Sequence, residues 1–378
     1  MTRLRISNGG WRTAARPVSA LLAGLAAVLV LSVPLALGWA DRTHFLITEE
    51  AVNRLPEPLR GLFADPAALK RLQEASAAPD LRREDLKKQA AAAPAEKQED
   101  LRRQYVQEKA KHYFDIDAIT TEPPPFAWFP RDRKAAEKEF GEKVFEEHGV
   151  APWAAEDALQ ALADAMARGA TGEIFRAAGD LAHYAADLHT PVHVSKNFNG
   201  QLTGNDGIHK ALEVGLYIRN EPFYAAEVRK GRTDVAYIDN VREALFDWLV
   251  QANARLAAIL EADSAARQKT GYNPGAKTKD AEQEMEDVNN EKSRPYYAAL
   301  KKELEARGSP EAAALRDAAA HLAQLYYTAW VRAGKPTSLA SASASAPQGS
   351  PVSPYLLLLP TALLLFVLLW PRRKPSSS

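Results

Sequence analysis

Apolar residues recur at steps of three and four along most of the chain. Three long stretches show this pattern: PWAAEDALQALADAMARGA (152–170), VREALFDWLVQANARLAAIL (241–260) and AAALRDAAAHLAQLYYTAWVRA (312–333). This spacing places apolar side chains on one face of an α-helix, whereas alternating strand patterns are scarce. The pattern therefore predicts an all-α fold, a multi-helix bundle, with one large domain over residues 39–336.

Two polar stretches interrupt this pattern. Residues 82–108 are charged and rich in Ala and Gln, which predicts a solvated helix. Residues 267–295 are polar and contain an Asn-Pro-Gly turn, which predicts a long exposed loop. Neither stretch is assigned a function.

The N-terminal 38 residues have the pattern of a secretory signal. Four arginines precede an apolar run from Val18 to Leu37, and small residues at Ala36 and Gly38 match the needs of a signal peptidase. We expect cleavage after Gly38, which makes Trp39 the new N-terminus. The alternative is an uncleaved signal anchor.

A second apolar run, YLLLLPTALLLFVLLW, lies near the C-terminus and is followed by PRRK. It predicts a transmembrane anchor over residues 355–371, with a cytoplasmic tail at 372–378. Residues 337–354 read as a flexible linker because they are rich in Ser, Ala and Pro. The main domain is then exported, on the periplasmic or cell-surface side. A sorting tail that is removed after export is the alternative.

Composition narrows the chemistry. The chain has 378 residues, of which 46% are hydrophobic and 25% charged, and its formal net charge is +0. Such a balance gives no sign of a nucleic-acid or acidic partner. Since the chain has no cysteine, any zinc site must use His, Asp, Glu and backbone groups. The chain also lacks a Gly-rich phosphate loop and a Gly-x-Ser-x-Gly motif.

The segment HYAADLHTPVH (183–193) concentrates potential metal ligands. His183 and Asp187 are four residues apart and share a helix face. Pro191 should end that helix, so that His193 turns toward a different point. One segment could thus supply two metals, with Asp187 between them.

Other potential ligands lie on both sides of this segment. His209 and Glu213 are again four apart, and with His193 they make a three-ligand zinc set with room for water. His112 lies upstream in KHYFDID. His44 follows Trp39 by five residues, and a free Trp39 amine and carbonyl could chelate a metal beside it.

These motifs together resemble the zinc-dependent phospholipase C and S1/P1 nuclease superfamily over roughly residues 39 to 335. The resemblance rests on Trp39 at a cleavage point, His44, HYFDID, HYAADLHTPVH and GIHKALE, in that order. It implies an α-helical bundle of that type with three Zn²⁺ ions. The implied ligand sets are His112, His183, Asp187 and an upstream aspartate; His193, His209 and Glu213; and Trp39, His44 and again Asp187.

The upstream aspartate is open between three residues. Asp80 in APDLRRED fits the local motif best, and Asp85 and Asp100 are the alternatives. The polar stretch 82–108 would account for the 32 residues between Asp80 and His112. We take Asp80 and Asp187 as the catalytic carboxylates, with Asp80 orienting the attacking water or accepting its proton.

Other polar and aromatic residues have weaker claims. His148 and His321 match no motif and are expected to be structural, whereas His189 could be either structural or a neighbour of the metal ligands. Asp115 and Asp117 are expected to bond locally rather than to bind metal. Trp128, Trp153 and Tyr184 are expected to be core residues, although they could line a pocket.

The predicted function is phosphodiester hydrolysis by a metal-activated water. The substrate would be a phospholipid or a nucleic acid, and Glu213 favours the phospholipase C branch, since the nucleases commonly carry aspartate there. The alternatives are a single-strand-preferring nuclease and a non-catalytic zinc-binding surface protein. The predicted membrane contact is the C-terminal helix, and no protein partner is implied.

Overall fold

The computed structural model describes residues 41–231, 234–275 and 290–337. Within these ranges the chain is mostly helical and forms no β-strand, which confirms the all-α prediction. The predicted signal peptide, Trp39, most of the linker and the predicted anchor lie outside them. None of the described helices is long and apolar enough to cross a membrane.

The helices follow one another along the described parts of the chain. The bounds are α1 (Asp41–Arg54), α2 (Leu59–Phe63), α3 (Pro66–Ala92), α4 (Ala95–Ala110), α5 (Ile116–Ile119), α6 (Arg133–Phe140), α7 (Glu142–His148), α8 (Ala151–Arg168) and α9 (Thr171–His189). A 3-10 turn (Pro191–His193) follows. The helix α10 is α-helical at Ile208–Lys210, π-helical at Ala211–Leu216 and α-helical at Tyr217–Arg219. The last four are α11 (Glu221–Arg229), α12 (Val241–Thr270), α13 (Arg294–Ala306) and α14 (Pro310–Arg332).

Helix α9 is the centre of the bundle. It packs against α8, α3, α14, α12 and α1, and most of its side chains are buried. The turn before it contains Gly169 in a left-handed conformation (φ 64°), which ends α8 and lets α9 fold back. Helix α9 ends at His189 because Pro191 follows Thr190 and has no N–H for a further helical turn, as predicted.

The polar stretch 82–108 differs from the predicted single helix. It spans the end of α3 and most of α4, which pack against each other across a break at Ala93 and Pro94. Pro94 causes this break, since the residue before a proline is driven into an extended conformation. Arg82 in α3 forms an ion pair with Glu108 in α4 (3.1 Å). The hairpin thus brings residues far apart in sequence together.

The prediction of a loop over residues 267–295 was wrong at both ends. Helix α12 continues to Thr270, because Arg267 is paired with buried Asp263 one turn earlier, and it ends at Gly271 in a left-handed conformation. Helix α13 begins at Arg294. Residues 276–289 lie outside the described part of the chain.

Helices α3 and α9 are in close contact at Gly179. A Cβ added there would overlap the backbone of Ala75, so only glycine allows the observed separation. In contrast, a Cβ on Gly172, in the first turn of α9, would meet nothing within 4 Å. Both helices carry predicted metal ligands. This contact therefore sets the distance between the ligands on α3 and those on α9.

We predict that Gly179→Ala lowers the free energy of unfolding by about 1–3 kcal/mol, because the helices must separate to admit the methyl group. The matched change Gly172→Ala should stay within about 0.5 kcal/mol of the parent protein. Urea unfolding followed by circular dichroism measures both. Equal stabilities for the two variants would contradict the close packing described.

Candidate metal centre

Helix α9 supplies two predicted ligands to the centre of the structure. His183 and Asp187 lie one turn apart on its buried face, with 1% and 2% of their side chains exposed. His183 Nε2 lies 3.3 Å from Asp187 Oδ2. The i, i+4 spacing therefore places a nitrogen and a carboxylate oxygen side by side, as the sequence predicted.

Two chain segments face this pair. Asp80 lies in α3 directly after Pro79, and His112 follows the end of α4. His112 Nδ1 lies 3.3 Å from Asp187 Oδ2, 2.9 Å from His183 Nε2 and 3.5 Å from Asp80 Oδ1. These four side chains form the first cluster.

Of the three aspartates that the sequence left open, the structure brings only Asp80 to this cluster. Asp85 instead accepts a hydrogen bond from Gln89, and Asp100 pairs with Arg103, both on exposed helix surface. Asp80 also pairs with Arg83 at 2.8 Å. The geometry thus favours Asp80 as the upstream ligand.

The second cluster consists of His193, His209 and Glu213. His193 Nε2 lies 2.9 Å from Glu213 Oε1 and 3.1 Å from His209 Nε2, while His209 Nε2 lies 2.9 Å from Glu213 Oε2. Glu213 belongs to the π-helical part of α10. Single π-helical turns are rare and occur often at functional sites.

His44 provides a third position. Its Nε2 lies 3.6 Å from Asp187 Oδ1, on the side of the carboxylate that also faces His193 Nδ1 at 3.7 Å. The His44 ring stacks on the His183 ring with centroids 4.3 Å apart. Asp187 therefore lies between His44, His112, His183 and His193, as the bridging prediction requires.

Backbone carbonyls fix the orientation of two rings. His183 Nδ1 donates to Ser76 O (2.8 Å), and His193 Nδ1 donates to His112 O (2.7 Å), because a carbonyl oxygen can only accept. In the neutral imidazoles, Nε2 then carries a lone pair that points at carboxylates. Two acceptors facing each other repel unless a cation lies between them.

Protons can play that part when no metal is bound. Burial is the largest single effect and lowers the pKa of His183 and of His193. Asp187, together with Asp80 at His183 and Glu213 at His193, outweighs it and raises the two pKa values to about 9 and about 10. Burial raises the pKa of Asp187 and Glu213, yet neighbouring histidines hold each carboxyl well below its usual range. The site is thus built to hold positive charge between imidazoles and carboxylates.

His44 differs from these two histidines. Burial and the charge of His183 lower its pKa to about 4, so the ring is neutral at pH 7. A neutral imidazole is the form that binds metal. Its second nitrogen, Nδ1, is buried and has no hydrogen-bond partner among the described residues.

Three groups of these side chains could each hold a metal ion. They are His44, His183 and Asp187; Asp80, His112 and His183; and His193, His209 and Glu213. Tetrahedral zinc with ligands at about 2.0–2.1 Å places neighbouring ligand atoms about 3.3 Å apart, close to the spacing found in the first cluster. Asp187 Oδ2 is buried without a hydrogen-bond partner among the described residues, which a cation would satisfy.

One cleft, with a volume of about 460 Å³, is lined by His44, by the second cluster and by Asp80, His112 and Asp187 of the first cluster. This size suits a small organic ligand. Among the side chains that form its walls, only Asp115 was considered from the sequence, where it was expected to bond locally. The wall side chains are Arg83, Glu84, Tyr105, Lys109, Tyr113, Asp115, Glu147, Val192 and Phe198.

The remaining histidines lie apart from the clusters. His189 Nδ1 donates to Ala185 O (2.7 Å), its Nε2 lies 2.7 Å from His321 Nδ1, and His321 stacks on Trp248. His148 lies 3.7 Å from Asp115. All three fit structural roles.

The acidic and aromatic residues outside the predicted ligand sets have different environments. Asp117 accepts from Ser195 Oγ and Lys196 N (2.7 Å each), so it bonds across the fold rather than locally. Burial raises the pKa of Asp115 to about 6, and this residue lines the cleft. Trp153 and Tyr184 are buried as expected, but Trp128 is 88% exposed and does not belong to the core.

Compared with known proteins, the chain matches no protein-family model and no curated protein sequence. Its function must therefore be argued from the chemistry of this site.

We predict that Asp80→Ala lowers the bound metal content, because the first cluster loses one of its two carboxylates. Asp85→Ala is the matched control and should bind as much metal as the parent protein. Elemental analysis after loading and dialysis measures this. If both variants keep the full metal content, or both lose it equally, the assignment of Asp80 is wrong.

Proposed function

We propose that this chain is an exported, zinc-dependent phosphodiester hydrolase of the phospholipase C and S1/P1 nuclease type. The observation that carries the proposal is the position of Asp187, whose two oxygens face different histidines at the base of one cleft. Clustered histidines and carboxylates at the base of a cleft are a common form of hydrolytic metal site. The order of the motifs along the chain adds the resemblance to that superfamily.

Three zinc ions fit the donors. Asp80, His112, His183 and Asp187 would hold one, and His193, His209 and Glu213 a second. His44 and Asp187 would hold the third, with the amine and carbonyl of Trp39 after signal cleavage. Imidazole and carboxylate donors without cysteine suit zinc among the common metals.

When bound, the ions acidify a water molecule and neutralise charge on the phosphodiester. The protein's own residues position these parts. Asp187 ties the first cluster to His44 because each of its oxygens faces one side. Asp80 is 25% exposed toward the cleft, so its carboxylate can orient the attacking water or accept its proton. Ser76 O and His112 O hold two rings in the orientation that keeps their Nε2 atoms turned inward.

Phospholipid headgroups are the substrate class that we favour. The cleft walls carry Glu84, Asp115 and Glu147 besides the ligand carboxylates, against the cations Arg83 and Lys109. Arg83 is already paired with Asp80 and Glu84. A polyanion such as nucleic acid needs a basic track, which these walls do not offer. The membrane anchor proposed at residues 355–371 would hold the cleft near a bilayer.

One observation favours the nuclease alternative. Tyr105, Tyr113 and Phe198 line the same cleft, and aromatic rings stack on unpaired bases. Turnover of phosphatidylcholine and of single-stranded DNA by the same preparation would separate the two substrates.

The proposal predicts turnover of the soluble diester bis-p-nitrophenyl phosphate. Asp187→Asn should lower kcat/KM by more than about 100-fold, since losses of 10- to 100-fold follow from removing groups that merely support metal ligands. Asp164→Asn in α8 is the matched control, because Asp164 accepts from Gln160 on an exposed surface, away from the cleft lining. Parent-like activity of Asp187→Asn, or bound zinc without any turnover, would contradict the proposal; the second result would indicate a non-catalytic zinc-binding protein.

The proposed role of Trp39 gives a second test. One glycine added before Trp39 should remove most of the activity, because the chelating amine is converted to an amide. The control is the same protein beginning at Trp39, assayed in parallel. Full activity of the extended protein would exclude Trp39 as a ligand through its amine.

A further inference from the structure

A loop at the rim of the cleft exposes two large apolar side chains. We call residues 196–206 the rim loop; it connects the 3-10 turn that carries His193 to helix α10. Phe198 is 47% exposed and Leu202 is 61% exposed. Phe198 also lines the cleft, so this apolar surface is continuous with the proposed site.

The rim loop has little freedom to bury these side chains. Gly200 N donates to Asn197 O, and both Thr203 N and Asn205 N donate to Gly200 O, at 2.9–3.0 Å. Leu202 N donates to Asn197 Oδ1 (2.8 Å). Gly200 has a φ of 75°, and a Cβ there would overlap Asn205, so glycine is required for this turn.

The base of the rim loop is fixed to the bundle. Asn205 is 1% exposed and its Nδ2 donates to Leu260 O, Asp263 Oδ2 and Ser264 Oγ, all on α12. Two of these acceptors are on side chains, so the attachment is specific. Because the loop is held in place, Phe198 and Leu202 stay exposed to water, which is unfavourable for apolar side chains. Their burial in an apolar phase would recover this free energy.

The charges around the rim loop indicate which kind of surface it would contact. Lys196 is exposed at its start, whereas the cleft walls beyond Phe198 are mainly acidic. Leu202 has no ring to stack on a base and does not line the cleft, so base binding does not account for its exposure. An apolar tip with an exposed cation beside it matches a phospholipid surface.

We propose that the rim loop docks on a lipid bilayer, with Phe198 and Leu202 inserted among the acyl chains and the cleft facing the headgroups. This inference rests on the proposed function, since the rim loop serves the cleft only if the cleft hydrolyses a lipid. The rim loop would then favour lipid substrate in a bilayer over dissolved substrate.

The absence of cysteine makes a site-specific test direct. Leu202→Cys in the full chain gives one labelling site for a polarity-sensitive fluorophore. The protein is placed in phosphatidylcholine vesicles with and without phosphatidylglycerol. We expect a blue shift of the emission and quenching by nitroxide-labelled acyl chains. Trp128→Cys is the matched control, because Trp128 is exposed but lies outside both rim loop and cleft, and its label should stay in water.

Two results would overturn the inference. One is equal behaviour of the labels at positions 202 and 128 in vesicles. The other is a label at 202 that ignores lipid and responds to single-stranded DNA instead. Because the fluorophore reports its own surroundings, a membrane anchor elsewhere in the chain does not produce the expected difference.

Activity separates this inference from the proposed function. Leu202→Ser should lower turnover of vesicle phosphatidylcholine relative to bis-p-nitrophenyl phosphate by about 10-fold, because one buried apolar side chain is lost from the interface. Trp128→Ser should keep the parent ratio. An unchanged ratio for Leu202→Ser would overturn the docking proposal. If the parent protein turns over neither substrate, the proposed function fails, and the fluorophore still decides whether the rim loop binds lipid.

Discussion

A single carboxylate, that of Asp187, holds the centre of this protein together. It is almost completely buried, and burial alone would favour its protonated form. Instead, His183 and His193 keep it ionised, and His44 and His112 lie within 3.6 Å of its oxygens. Buried charge of this kind is costly unless it is paired. Helices α1 and α9, the end of α4 and the 3-10 turn are therefore arranged around one point, and compensating positive charge at that point, from protons or metal, is required by the fold.

The bundle makes this arrangement rigid. Gly179 lets α9 approach α3, and the α3–α4 hairpin brings Asp80 opposite His112 although 32 residues separate them in the sequence. Backbone carbonyls of Ser76 and His112 orient the rings of His183 and His193. Ligands held in advance lose little conformational freedom when a metal binds, and catalytic metal sites depend on such support from surrounding groups.

Local patterns predicted part of this centre. The pairs His183 with Asp187 and His209 with Glu213 follow from helical spacing, and Pro191 predicts the break that redirects His193. The sequence favoured Asp80 over Asp85 and Asp100 by its local motif alone, because the position of each aspartate depends on how the α3–α4 hairpin folds. It also missed Tyr105, Lys109 and Phe198 in the cleft walls, since contacts between distant segments leave no periodic signal. The end of α12 was predicted as loop because its residues are polar. The ion pair between Arg267 and buried Asp263 instead extends the helix into the predicted loop.

Anomalous diffraction at the zinc edge, from crystals of zinc-loaded protein beginning at Trp39, tests the central claim most directly. The account predicts one peak among Asp80, His112, His183 and Asp187, one among His193, His209 and Glu213, and one between His44 and Asp187. Asp187 would then contact two of the three ions. Crystals without a peak at these positions, in which the same side chains bond only to water and to each other, would contradict the account.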